Sequence, residues 1–234
     1  MTKARDTANL TGSGVGLSLL DIDAGTDIGA ALVDADLMIV DDGAGGTNRK
    51  ATMSRLATYM GTKIGGGMEF IASTGAISNA ASVQFRAQDG HFDSTKYDSY
   101  KFYFLNVVPA TDNVTLFGRV SVNDGSAYDS TSGSYRTTGN QAGISISNAM
   151  GGASGDTTGV SGEMLALNPA STSGYRIFTV NTGYETPTTT NIDDVGDAQG
   201  YIANEGTAIN AIKFEMDSGN IESGEITMFG IVNS

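Results

Sequence analysis

The chain has 234 residues, 32 of them glycine, none of them cysteine or tryptophan, and a formal net charge of -13. Without cysteine there is no disulfide framework, thiol nucleophile or thiolate zinc site. The acidic balance sets the surface against phosphate backbones and anionic lipid, so neither nucleic acid nor a membrane is expected as a partner. Glycine at about twice ordinary usage, only 3 prolines, and short apolar stretches spaced by Ser, Thr, Asn and Asp predict an all-β chain rather than collagen or a linker. No stretch approaches the roughly 18 apolar residues of a spanning helix. The start, Met1-Thr2-Lys3-Ala4-Arg5-Asp6, is followed by no long apolar run, so no secretory signal is expected.

Residues 1–35 carry little periodicity, because Gly12, Gly14, Gly16, Gly25 and Gly29 interrupt every apolar group. Such a segment is an extended arm that needs another surface to order it. Asp36 to Asp42 reads as a strand, Asp42 to Asn48 as a turn, and Arg49 to Thr52 as a short strand pairing back. One helix follows at Ser54 to Met60. Thr52 or Ser54 is placed to cap it, and Gly61 to end it in a left-handed conformation. A lone strand–turn–helix of this size buries little, so Leu37, Ile39, Leu56 and Met60 are expected to pack between copies of the chain. Gly65-Gly66-Gly67 is the predicted boundary, giving an N-terminal anchoring and oligomerisation unit at 1–65 and a sandwich domain at 66–234.

From Met68 a two-residue period dominates. Phe70, Val83 and Phe85 mark the first short strands. Tyr97 to Val108 is a long strand with Tyr100, Phe102 and Phe104 on one face. Val114, Leu116, Gly118, Val120 and Val122 line one face of the next. Further strands are predicted at Gly143–Ser147, Glu163–Asn168, Tyr175–Asn181, Gln199–Ala203, Asn210–Asp217 and Glu225–Val232, the last two flanking a turn at Asp217-Ser218-Gly219-Asn220. This count predicts an antiparallel sandwich or barrel, with long polar loops at 124–139 and 184–200.

The chemistry-bearing residues point away from catalysis. His91 is the only histidine and sits between strands, and no serine lies in a nucleophile elbow. No enzyme activity and no cofactor are expected. Asp193, Asp194 and Asp197 form an acidic cluster that lacks EF-hand spacing, and it is read as a solvated loop rather than a metal site. Ser121 to Tyr128 resembles a degenerate Asp-box, with Asn123 where aspartate is usual; a plain turn at Asn123-Asp124-Gly125 is the favoured reading. Tyr128, Tyr135, Tyr184 and Tyr201 lie in or beside the predicted polar loops and are the candidates for surface ligand contacts, as aromatic platforms for a sugar. No catalytic pair of carboxylates stands out.

Two regions look familiar. Lys3-Ala4-Arg5-Asp6-Thr7-Ala8-Asn9-Leu10 resembles the opening of tail-fibre proteins of tailed bacteriophages. The stretch Asp36 to Asp42, turn, Arg49-Lys50-Ala51-Thr52-Met53-Ser54-Arg55-Leu56 is similar to a strand–turn–helix unit of those fibres. Asn210–Ile231 looks like the final hairpin of jelly-roll domains in phage fibres and spikes, and Tyr97-Asp98-Ser99-Tyr100 and Pro109 to Asn113 fit the same pattern. The resemblance implies a virion protein assembled in the host cytoplasm, a homotrimer with an N-terminal anchor to other virion proteins and an outward jelly-roll β-sandwich. A host-surface glycan would be its external partner. The short connection near Gly65 departs from long fibres, which place a shaft there; that departure implies capsid decoration, a head fibre or a turret as the alternative.

Overall fold

The computed structural model describes residues 28–41, 48–63, 67–136, 140–151, 158–187, 189–203 and 206–232. The glycine-rich arm up to residue 27, the turn expected at 42–47 and the expected boundary at Gly65-Gly66 lie outside them. The chain divides into two compact units, Met1–Lys63 and Ile64–Ser234.

In the first unit β1 (Leu37–Asp41) and β2 (Asn48–Thr52) pair antiparallel, with Leu37 opposite Thr52 and Asp41 opposite Asn48. The helix α1 (Met53–Lys63) follows β2 directly. Its first donors are satisfied by backbone rather than by a side-chain cap. Met53 N–H donates to Asp36 O at 2.9 Å and Ser54 N–H to Asp34 O at 3.3 Å. The carbonyls are presented by a turn in which the Asp36 carboxylate accepts from Val33 N–H at 2.8 Å. The hydroxyls of Thr52 and Ser54, the expected caps, bond each other at 2.8 Å instead. Gly61 does not end the helix, which runs on to Lys63; glycine permits a left-handed turn without forcing one.

The second unit is an antiparallel β-sandwich. Its strands are β3 (Met68–Ser73), β4 (Ile77–Ala80), β5 (Val83–Arg86), β6 (Tyr97–Pro109), β7 (Leu116–Ser121), β8 (Tyr135–Arg136), β9 (Asn140–Gln141), β10 (Ile144–Ser145), β11 (Val160–Leu167), β12 (Arg176–Thr186), β13 (Thr189–Tyr201), β14 (Ala211–Met216) and β15 (Ile221–Val232). A four-stranded sheet runs β10-β7-β14-β5. A nine-stranded sheet runs β3-β15-β6-β11-β12-β13-β8-β9, with β4 also paired to β15. The alternation read in the sequence becomes burial: Tyr100, Phe102 and Phe104 of β6 and Leu116 and Val120 of β7 are almost wholly buried. The sheets meet through Phe85 and Phe214 of the smaller one against Phe102 and Phe104 of the larger, ring centroids 5.2 to 5.6 Å apart.

The turn at 217–220 does not close a hairpin. β14 lies in the smaller sheet and β15 in the larger, while β15 pairs with β6 and β14 with β7. The 110–115 and 217–220 connections cross between the sheets side by side. They are tied by Ala110 N–H to Asn220 O and Asp217 N–H to Thr115 O, both 2.9 Å, and by the Thr111 hydroxyl to Ser218 O at 3.2 Å. A two-stranded ribbon thus turns a corner, and Gly219, at φ +76°, takes the bend.

The expected polar loop at 184–200 is instead the hairpin of β12 and β13, paired from Arg176↔Tyr201 to Thr186↔Thr189. Phe178, Val180, Thr182 and Tyr184 face inward from β12, and Val195, Gln199 and Tyr201 from β13. The outward Thr, Asn, Gly and Asp residues conceal that period in the sequence. Gln199 sits at 2% exposure and locks the sheets together. Its amide donates to Ser145 O and accepts from Ser145 N–H of β10, both at 2.8 Å.

Candidate functional site

A hollow of about 460 Å³ opens where the chain leaves β7 and approaches the end of β13. Its rim begins with the Asn123-Asp124-Gly125 turn. Asp124 and Gly125 adopt φ of 57° and 79°, the paired left-handed conformation that Asn-Asp-Gly favours. Local bonds hold the turn. Ser121 Oγ accepts from Gly125 N–H at 3.0 Å, and Asn123 Oδ1 accepts from Ala127 N–H at 3.0 Å. From the neighbouring 87–89 helical turn, Gln88 N–H donates to the Asp124 carboxylate at 3.1 Å.

Asp129 is the centre of the wall. Its Oδ1 accepts from Thr131 N–H at 2.8 Å, and its Oδ2 accepts from the Tyr201 hydroxyl at 3.0 Å. Burial pushes its carboxyl up, but donations from the Thr131 backbone and from the Ser134 and Tyr201 hydroxyls outweigh this and hold it below the usual carboxylate range. Beneath it the Tyr135 hydroxyl donates to Asp129 O at 2.8 Å and accepts from Val120 N–H at 3.1 Å. The rings of Tyr135 and Tyr201 lie 5.1 Å apart, and the Arg176 guanidinium stacks 5.0 Å over Tyr201. Arg176 also donates to Ala203 O at 2.5 Å. Of that stack only Tyr201 reaches the lining of the hollow, beside the hydroxyl, amide and carboxylate groups of Asn123, Asp129, Thr131 and Ser134, while the Ser121 hydroxyl, also in the lining, is taken up by Asn123 and Gly125. Such a set can exchange hydrogen bonds with a polyhydroxylated ligand.

The four tyrosines expected at the surface divide. Tyr128 is half-buried on the rim; its hydroxyl donates to Gln84 Oε1 at 3.1 Å, and the Lys213 ammonium lies 5.1 Å over its ring. Burial raises its hydroxyl above the usual range. Tyr135, Tyr184 and Tyr201 correct the expectation, because all three are at most 1% exposed. Each lies on a strand rather than a loop and points into the core, so none offers a ring face to a ligand. Tyr128 and Tyr201 nevertheless line the same hollow. Tyr184 stands apart, in the environment of Asn148 and Asp193.

Asp193, Asp194 and Asp197 lie on β13 rather than in a loop. The two-residue period turns Asp194 to the face opposite Asp193 and Asp197, so the three do not converge. No group of three metal-ligating side chains occurs among the described residues. His91 is half-buried, and its Nδ1 accepts from Arg86 N–H at 3.2 Å, which puts the ring proton of the neutral imidazole on Nε2. Sequence reasoning missed Asp129, although Asp129-Ser130-Thr131 carries the signal of an Asx turn. It also missed Arg176 and Gln199, which no local signal marks as buried.

In the N-terminal unit, Leu37 and Ile39 are each 58% exposed and Met60 is exposed on α1. Leu56 is half-buried and, with Met38, Val40, Ala51, Arg55 and Tyr59, lines a groove of about 330 Å³. The four residues expected to pack between copies thus do not form one patch within the chain. Leu56 belongs to the groove, while Leu37 and Ile39 alternate with Met38 and Val40 along β1 and take its other face. No helix among the described residues is long and apolar enough to cross a membrane. No known protein family, curated protein sequence or solved structure matches the chain.

Proposed function

We propose that this chain is a structural component of a tailed-bacteriophage virion, a short fibre or spike in which the N-terminal unit trimerises and docks on the particle while the sandwich, wound as a jelly roll, faces the host surface. The observation that carries this reading is the apolar surface of the first unit. A strand–turn–helix with Leu37, Ile39 and Tyr59 each 58% exposed is incomplete by itself and is stabilised when copies pack together. The residue order that resembles phage fibres supports the same reading. The ribbon of β6–β7 and β14–β15 that bends from sheet to sheet agrees with a jelly roll. The hollow beside Asp129 is the place where a sugar hydroxyl set would bind, and the reading assigns no catalytic step. Purified protein should compete with phage for adsorption to host cells. No competition at saturating protein would remove the adsorption role, and shortening of host polysaccharide by the protein would overturn the absence of catalysis.

A second reading, capsid decoration without a receptor, is favoured by one observation. Only residues 64–67 separate the end of α1 at Lys63 from the start of β3 at Met68, which leaves no room for a shaft. Localising the protein on intact particles separates the two. A few copies on the tail apparatus support adsorption, and many copies on the shell support decoration.

A further inference from the structure

The outer face of the nine-stranded sheet carries an apolar strip that neither reading uses. One row of paired positions runs Phe70–Phe229–Lys101–Leu165–Thr179, and the next runs Met68–Ile231–Ser99–Leu167–Ile177. At one end Phe229 packs edge-on between Phe70 and Tyr103, at 5.9 and 5.6 Å. At the other end Leu167 stands opposite Ile177. Phe70 is 62% exposed and Ile177 44%. With Met68, Leu105, Leu167 and Tyr175 also exposed, the strip leaves on the order of 500 Å² of apolar surface in water. That approaches the roughly 800 Å² each partner contributes to a standard interface.

The charge pattern selects the occupant. The chain carries a net -13, yet this part of the face carries only three charges: Lys101 and Glu163, which pair at 2.7 Å, and Glu225, which stands opposite Leu105 at one edge with its carboxylate on the Ser73 hydroxyl. A partner of opposite charge would be drawn to the acidic remainder of the surface. A nearly uncharged, apolar sheet face is where two equally acidic bodies can meet with the least repulsion at the contact, and a sheet face packs naturally on another sheet face about 10 Å away. We propose that this strip is a self-association surface, on which the sandwich of a second copy of the chain packs face to face. The inference concerns the sandwich and is independent of the host-surface reading, so failure to block adsorption leaves it standing.

The test uses the full chain at micromolar concentration. Sedimentation should give a multiple of the chain mass, as trimerisation of the N-terminal unit would also give, and the strip is singled out by the double variant Phe70→Asp/Ile177→Asp, which should weaken self-association roughly 30-fold or more while keeping the far-UV circular dichroism of the parent. A second measurement does not depend on tolerance of the aspartates. The chain contains no cysteine, so an introduced thiol reports its own surroundings. The pair Phe70→Cys/Ile177→Cys, one thiol at each end of the strip, should form interchain disulfides under mild oxidation, since end meets end when two copies of the face pack about an axis, whereas Ser126→Cys, on an exposed loop, should not. A monomeric parent chain, an unchanged dissociation constant in the folded aspartate variant, or cross-linking by the strip thiols no greater than at position 126 would each overturn the proposal.

Discussion

Single side chains decide how the loops around the hollow are held. Tyr135 fills two roles with one hydroxyl, accepting from Val120 N–H and donating to Asp129 O. Tyr135→Phe leaves the buried Val120 N–H without an acceptor, at a cost of about 1–3 kcal/mol. Thermal denaturation should show the loss, with the ring stack on Tyr201 preserved. His91 gives the fold an acid-side sensitivity. Burial lowers its pKa, the Arg86 cation adds to this, and the Asp89 charge opposes both. Because the unfolded chain takes up the proton first, the His91 contribution is intact above about pH 6.5 and is lost as the pH falls from there through the lower folded-state value. Protonation at Nδ1 also removes the acceptor for Arg86 N–H. His91→Asn keeps an acceptor and cannot titrate, so its melting temperature should fall less than that of the parent between pH 7 and pH 5. An equal fall would show that other groups set the acid response.

At the scale of elements, two devices join the sheets. The ribbon crossing at 110–115 and 217–220 ties β6 to β7 and β14 to β15 by backbone bonds between neighbouring connections. On the side of β13, Gln199 supplies both a donor and an acceptor to Ser145 of β10. Gln199→Ala leaves two buried backbone groups unpaired, and at about 1–3 kcal/mol each this should be among the most damaging polar substitutions in the sandwich. Gln199→Glu keeps the acceptor in either form but keeps a donor for Ser145 O only while its carboxyl is protonated, so its loss should be smaller than that of Gln199→Ala at low pH and should grow as the carboxyl ionises. Hydrogen exchange at Ser145 N–H is a local check, since it should accelerate more than exchange in β6. The hairpin of β12 and β13 illustrates why this pairing was hidden. Its inward residues include Thr182, Gln199 and Arg176 as well as Val180 and Phe178, so the apolar alternation that signals a half-buried strand is diluted by polar residues on both faces.

For the whole molecule, charge and apolar surface act against each other. A net charge of -13 repels copies of the chain at long range, while the strip between Phe70 and Ile177 favours contact. Raising ionic strength from about 0.01 M to about 0.15 M shortens the screening length from about 30 Å to about 8 Å. Self-association through a nearly uncharged apolar face should therefore tighten with added salt. Sedimentation across a salt series checks this; weakening with salt would mean that ion pairs, not the strip, hold the copies.

Much was legible from residues alone. Alternation of large apolar residues identified β6 and β7 with their inward faces, since burying Phe102, Phe104, Leu116 and Val120 leaves one orientation open to each strand. Spacing and turn residues likewise indicated the β1–β2 pair and the helix after Thr52. The partners of the strands were not legible. Asp217-Ser218-Gly219-Asn220 reads as a hairpin turn, because a turn signal says only that the chain changes direction, whereas the neighbouring 110–115 connection sends β15 to the other sheet. The site was divided in the same way. Asn123-Asp124-Gly125 is a turn on local grounds, but placing Tyr201 against Asp129, 72 residues apart, required the sheets to be assembled. Tyr135, Tyr184 and Tyr201 were assigned to the surface because their neighbours in sequence are polar, and the sandwich buried them because their neighbours in space are not. Local sequence sets backbone period and turn geometry, which act over a few residues; burial depends on which strands meet across the core, and only tertiary structure decides that.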